Sequence, residues 1–174
     1  MDMYQVGDLV VYGGSSCVCR VAEVAGLDFV TDKSRLYYIL KPLHQEGVIY
    51  NPVDNTDVFM RPVITKDEAE NLIDMIPRMR AEPYLDEPQQ VGLDYESILK
   101  THDCTKLIEL TMSIYAKKQF LLENKRKFGS QEDNFMKRAE DMLFGELAAA
   151  LDIPKEQVRK YIAERANGKP RSDA

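Results

Sequence analysis

The sequence predicts an α+β protein: a small, strongly bent β sheet or barrel over residues 1–62, then an all-helical domain of about five helices over residues 66–168. Two observations carry this. The apolar spacing changes from alternation to a helical repeat near Lys66. Before that point Gly, Asp, Asn and Pro cut the chain into short runs rich in Val, Ile, Tyr and Phe. A length of 174 residues accommodates two such small domains.

Five runs read as strands: DLVVY, CVCRVAEV, RLYYILKPL, GVIYN and VFMRPV. In the second, Cys17, Cys19 and Val21 alternate onto one face. In LYYIL the alternation is lost, as expected for a strand partly covered on both faces. Gly13 and Gly14 are expected to supply the positive φ that reverses the first hairpin. GVIYNP is the expected edge strand, because Pro52 cannot donate to a ladder.

The helical half begins with KDEAENLIDMIPRM, which places Ala69, Leu72, Ile73 and Ile76 on one face. Pro77 ends or bends that helix. AEPYLDEPQQVGLD reads as a loop or broken turn, with a short helix over residues 95–100. The longest helix is expected over residues 104–127. Its core stripe is Leu107, Ile114 and Leu121 beside Ile108, Tyr115 and Leu122, with Lys106, Glu109, Ser113 and Lys117 turned away. Gly129 is the expected stop and Ser130 the next N-cap. Phe135, Met136, Ala139, Met142, Leu143, Leu147 and Leu151 form the following stripe, and a last helix starts near residues 152–154 and stops near Gly168.

Several function classes fall away on composition. The formal charge is −6, with balances of −3 over residues 1–62, −5 over 63–100 and +2 over 101–174. That excludes a uniformly basic nucleic-acid binder but leaves a local basic face over residues 117–138. The opening MDMYQVGD lacks a basic n-region and an apolar core, and no run is long enough to span a bilayer. A cytoplasmic protein without a membrane partner is therefore expected.

Cys17, Cys19 and Cys104 form an odd set that describes no disulfide framework. GGSS followed by a strand lacks the lysine and helix N-terminus of a phosphate loop. The two histidines and three cysteines lack the paired spacing of a zinc site, and no nucleophile has an evident base. The expectation is a non-enzyme with no catalytic residues, no metal and no cofactor.

The stretches YQVGDLVVYGGSSCVCRVAEV, YYILKP and IYNPVDNTDVFMRPVI resemble the N-terminal module of the CarD/CdnL transcription regulators, a module type shared with the transcription-repair coupling factor. EDMLFGELAAAL resembles a helix near the end of the same family. The resemblance implies a Tudor-like β module that binds the β subunit of bacterial RNA polymerase, and a helical domain that contacts upstream promoter DNA and stabilises the open complex. By position, the polymerase contact is carried by Val48, Ile49, Tyr50, Asn51 and Pro52, with Tyr50 standing where family members often have arginine.

On the DNA side, Val91 occupies the position of the family's minor-groove tryptophan, followed by Gly92, Leu93, Asp94 and Glu96 in place of basic residues. Lys117, Lys118, Lys125, Arg126, Lys127, Lys137 and Arg138 are the remaining candidate phosphate contacts. Two other readings compete. ELAAALDIPKEQVRKYIAER has the form of a helix-turn-helix with Lys155, Gln157, Arg159 and Lys160 outward. Alternatively, the acids near Val91 suit a protein–protein adaptor that does not touch DNA. Oligomeric state is not encoded in these patterns.

Overall fold

The computed structural model describes residues 3–79 and 88–168, with side chains in the second stretch from Asp94 onward. The chain divides into two compact units, residues 1–64 and 65–174.

The first unit is one antiparallel sheet of five strands: β1 (Leu9–Tyr12), β2 (Cys17–Ala25), β3 (Tyr37–Pro42), β4 (Ile49–Pro52) and β5 (Met60–Pro62). Their order across the sheet is β4-β3-β2-β1-β5, so β4 and β5 are the edges. The core is Val10, Cys19, Val21, Tyr38 and Leu40, flanked by Ile49, Val53 and Met60. One extra residue shapes it. Val21 pairs with Leu40, but Glu23 rather than Ala22 pairs with Ile39, which makes a bulge at Ala22. The bulge reverses the parity of β2, so Val24, opposite Tyr38, joins Val21 on the core face while Glu23 turns out. Bulges also sharpen twist, and this sheet curls far enough for a core-facing side chain of one edge strand to reach the other. Asn51 of β4 is 2% exposed and donates from Nδ2 to the Met60 sulfur of β5 at 3.3 Å. Its Oδ1 accepts from Asn55 Nδ2 at 3.1 Å.

The first hairpin differs from expectation. Its positive φ lies at Ser16 (50°), not at the glycines. Gly14 instead lets the Tyr12 ring lie against the turn, since a Cβ there would come 2.7 Å from a ring carbon and the ring would have to shift.

The second unit holds α1 (Lys66–Met75), α2 (Pro88–Leu99), α3 (Cys104–Glu123), α4 (Ser130–Leu151) and α5 (Val158–Ala166), with 3-10 turns at Ile76–Arg78 and Lys155–Gln157. Thr65 caps α1 by accepting from the Glu68 amide, and Asp103 caps α3 through Lys106. The core includes Ile73, Leu99, Leu107, Ile114, Leu143, Leu147 and Val158.

Four boundaries or faces depart from the sequence reading. α2 begins at Pro88 rather than near Tyr95, because proline at a first helical position has no amide to satisfy and starts a helix as readily as it breaks one. α3 stops at Glu123, not Lys127. Lys125 adopts φ 54° while its amide reaches Leu122 and that of Arg126 reaches Leu121, a Schellman ending built without glycine. Gly129 is therefore free to cap α4, displacing Ser130 from that role and making α4, at 22 residues, longer than α3. On α3, Tyr115 and Leu122 are exposed, whereas Leu110 and Lys117 are buried. The apolar stripe is narrower than the sequence suggests.

Buried charge ties the termini of this unit together. Glu70 on α1 is 2% exposed and accepts from the Tyr161 hydroxyl and the Arg165 guanidinium of α5, while Arg165 also engages Asp74. A buried charge stripped of its partner is strongly destabilising. Arg165→Leu is expected to lower unfolding stability by about 3 kcal/mol. The double variant Glu70→Met/Arg165→Leu should recover a large part of that loss. Urea melts of the single and double variants measure it.

Candidate polymerase and nucleic-acid interfaces

β4 is short, and each of its residues has a distinct task. Its pairs with β3 are Leu40–Ile49, Ile39–Tyr50, Tyr38–Asn51 and Tyr37–Pro52. The Val53 amide donates to the Leu36 carbonyl at 3.0 Å, so the alternate positions Asn51 and Ile49 also bond toward β3. The N–H and C=O of Tyr50 therefore point away from the sheet. Pro52 has no N–H, and its carbonyl is taken by the Asn55 amide.

Side chains alternate in the same way. Ile49 and Asn51, sequence candidates for the polymerase contact, face the core: Ile49 is partly buried against it, and Asn51 is spent on closing the curled sheet. Val48 and Tyr50 are exposed, Tyr50 by 45%. On the outer face Tyr50 sits beside Ile39, and Pro52 beside Tyr37. Phe29, 71% exposed in the β2–β3 connection, stands edge-on to the Tyr50 ring at 5.3 Å between centroids. Two exposed aromatic rings in contact make an apolar anchor of the kind found at interface centres. Sequence reasoning missed Phe29. The available signal was the lone aromatic residue of the loop GLDFVTDKSR.

The basic candidates separate by environment. Lys117 is 8% exposed and its Nζ lies 2.6 Å from Glu132 Oε1, so it faces the α3–α4 interior and is not placed to meet a phosphate. The Glu132 charge also helps burial push the Tyr95 hydroxyl up to about 12, burial being the larger cause. Arg138 grips Glu96 with two bonds, at 2.5 and 3.2 Å, and this pairing holds the Glu96 carboxyl below its ordinary value. Lys137 pairs with Asp133 at 2.9 Å. Lys118, Lys125, Arg126 and Lys127 are exposed, and among the described residues none has an ion pair. They gather at the end of α3, with Lys118 over the Phe128 ring at 5.5 Å. Val91 lies on α2, but its side chain is outside the described residues.

Of the helix-turn-helix candidates, Lys155 and Arg159 pair with α4 while Gln157 and Lys160 stay exposed. Lys155 pairs with Asp141 at 2.9 Å, and Arg159 with Glu140 at 2.8 Å while covering the Phe144 ring. Lys160 lies 4.0 Å from Glu164. Among the described residues no group of three or more His, Cys, Asp or Glu side chains is arranged to hold a metal, and no helix is long and apolar enough to cross a membrane.

Residues 4–64 match the family model described as CarD-like/TRCF RID domain, so the match coincides with the β unit and ends before α1. That domain type is an RNA polymerase-interacting module. No curated protein matches the chain at a significant level.

The two kinds of lysine predict opposite thermodynamics. Lys117→Met strands the Glu132 carboxylate and should cost about 3 kcal/mol. Lys125→Met, at an exposed position, should stay within about 0.5 kcal/mol of the parent, although relief of its left-handed backbone is not part of that change. Denaturant midpoints at constant slope measure both.

Proposed function

With residues 4–64 matching a CarD-like/TRCF RID domain, we propose that the protein is a bacterial transcription regulator that binds the β subunit of RNA polymerase and modulates open promoter complex stability. It acts by binding, without catalysis or cofactor. The observation that carries the reading is the outer edge of β4. There the Tyr50 backbone points outward beside the exposed Tyr50 and Phe29 rings. An edge of this kind accepts a strand from a partner through main-chain hydrogen bonds, and adjacent side chains select which strand. Val48, Tyr50, Pro52 and Phe29 form the contact, and Ile49 and Asn51 support it from inside.

The helical unit approaches upstream promoter DNA through Lys118, Lys125, Arg126 and Lys127. These cations neutralise phosphates without reading bases. The helix-turn-helix alternative has less support, because Lys155 and Arg159 each have a surface carboxylate partner on α4 whereas the four cations at the end of α3 have no ion pair among the described residues. DNA contact is thus auxiliary, and polymerase supplies the promoter address.

Tyr50→Glu places a charge in the centre of the proposed contact while leaving the core face of β4 intact. Retention of the full chain on an immobilised fragment of the polymerase β lobe should fall at least tenfold for this variant, with unfolding stability unchanged. Equal retention of parent and variant removes the assignment of β4 as the interface.

A further inference from the structure

Cys17 and Cys19 are unused by the polymerase-binding reading, yet their geometry is specific. They project from one face of β2, and their sulfurs lie 3.5 Å apart. Two residues along a strand set the Cα atoms about 6.8 Å apart, at the wide end of the range a disulfide spans. Cys19 is fully buried in the core, opposite Val10, whereas Cys17 is half-buried at the hairpin end, opposite Tyr12. Access from solvent is therefore through Cys17. The Ser15 hydroxyl reaches the Cys17 sulfur at 2.9 Å from the turn.

We infer that Cys17 and Cys19 form an oxidisable dithiol, in which a hydroperoxide attacks at Cys17 and Cys19 resolves the product to an intrastrand disulfide. The Cys17 thiolate attacks one peroxide oxygen and the O–O bond breaks. The other oxygen leaves as an alcohol or water after taking a proton, and Cys17 becomes a sulfenic acid. The Cys19 thiolate then attacks the Cys17 sulfur. The S–S bond forms, the S–O bond breaks, and water departs with the proton Cys19 gave up. In total, two thiols and one hydroperoxide give one disulfide, one alcohol or water, and one further water, with two electrons passing from sulfur to oxygen.

The surroundings favour this order. Donation from the Cys19 thiol, and then from Ser15, pulls the Cys17 thiol down to about 6, against the opposing effect of burial. Cys19 is pushed upward chiefly by the same contact with Cys17. Once Cys17 carries a neutral sulfenic acid, that contact no longer holds the Cys19 proton. Cys104 provides the contrast: it is buried and donates to Glu146 Oε1 at 3.0 Å.

Residues 1–20 contain both cysteines and end at the first tryptic site, Arg20. The reduced full-length chain is exposed to hydrogen peroxide, quenched, unfolded in N-ethylmaleimide, digested with trypsin and weighed. The inference predicts that this peptide becomes 2 Da lighter than its dithiol form (two hydrogens lost) and takes no maleimide, while Cys104 remains fully alkylated. Cys19→Ala should stop at a sulfenic acid on Cys17 that dimedone traps, and Cys17→Ser should leave Cys19 alkylatable. Two maleimides on the peptide after peroxide, a disulfide between chains, or loss of Cys104 as fast as of Cys17 would each overturn it. The unsubstituted chain decides the matter even where a variant does not fold.

Discussion

The contact between Asn51 and Met60 fixes what the β unit shows to its surroundings. Five short strands leave two edges, and only a curled sheet buries enough apolar surface in so small a unit. The Asn51 amide joins the edges: it donates to Met60 from one and is held in place by Asn55. A buried amide needs such partners, so its register on β4 is strictly specified. Once Asn51 faces in, Tyr50 must face out, and the Tyr50 backbone is the part of the strand not bonded to β3. The bulge at Ala22 does the equivalent work on β2 by keeping both Val21 and Val24 on the core face.

The helical unit uses a different device. Its helices are matched by polar pairs inside the packing: Glu70 with Tyr161 and Arg165, Lys117 with Glu132, and Cys104 with Glu146. Buried pairs of this kind are weak sources of net stability but costly to mismatch. One of them also withdraws Lys117 from the surface. Of the seven clustered cations in the sequence, Lys117 is buried against Glu132, Lys137 and Arg138 pair with carboxylates at the surface, and the four at the end of α3 have no ion pair among the described residues. The cations without an ion pair among the described residues thus form a smaller cluster than the sequence suggests.

All five strands were legible in the sequence because β-branched and aromatic runs between Gly, Asn and Pro leave few alternatives. The edge position of β4 was legible from Pro52 for the same reason. Asn51 was not readable as inward, since its partner on β5 depends on the curl of the sheet and not on local pattern. Lys117 looked like a surface residue because a helical repeat records polarity, and a lysine paired with a glutamate 15 residues away is polar in any count. The end of α3 was misplaced because its left-handed residue is Lys125, where glycine is the usual signal. Phe29 carried a visible signal, the lone aromatic of its loop, whose partner Tyr50 only the fold brings near.

The β unit matches an RNA polymerase-interacting domain type, and the helical unit carries a small cluster of exposed cations at the end of α3. On the function proposed above, the protein changes the stability of an assembly it joins. The lifetime of the open promoter complex, measured with purified polymerase after competitor challenge, tests this most directly. Adding the full chain is predicted to change that lifetime severalfold, and replacing Lys125, Arg126 and Lys127 by glutamine should reduce the change without abolishing polymerase binding. A lifetime identical with and without the protein, at concentrations that saturate polymerase, would contradict the account.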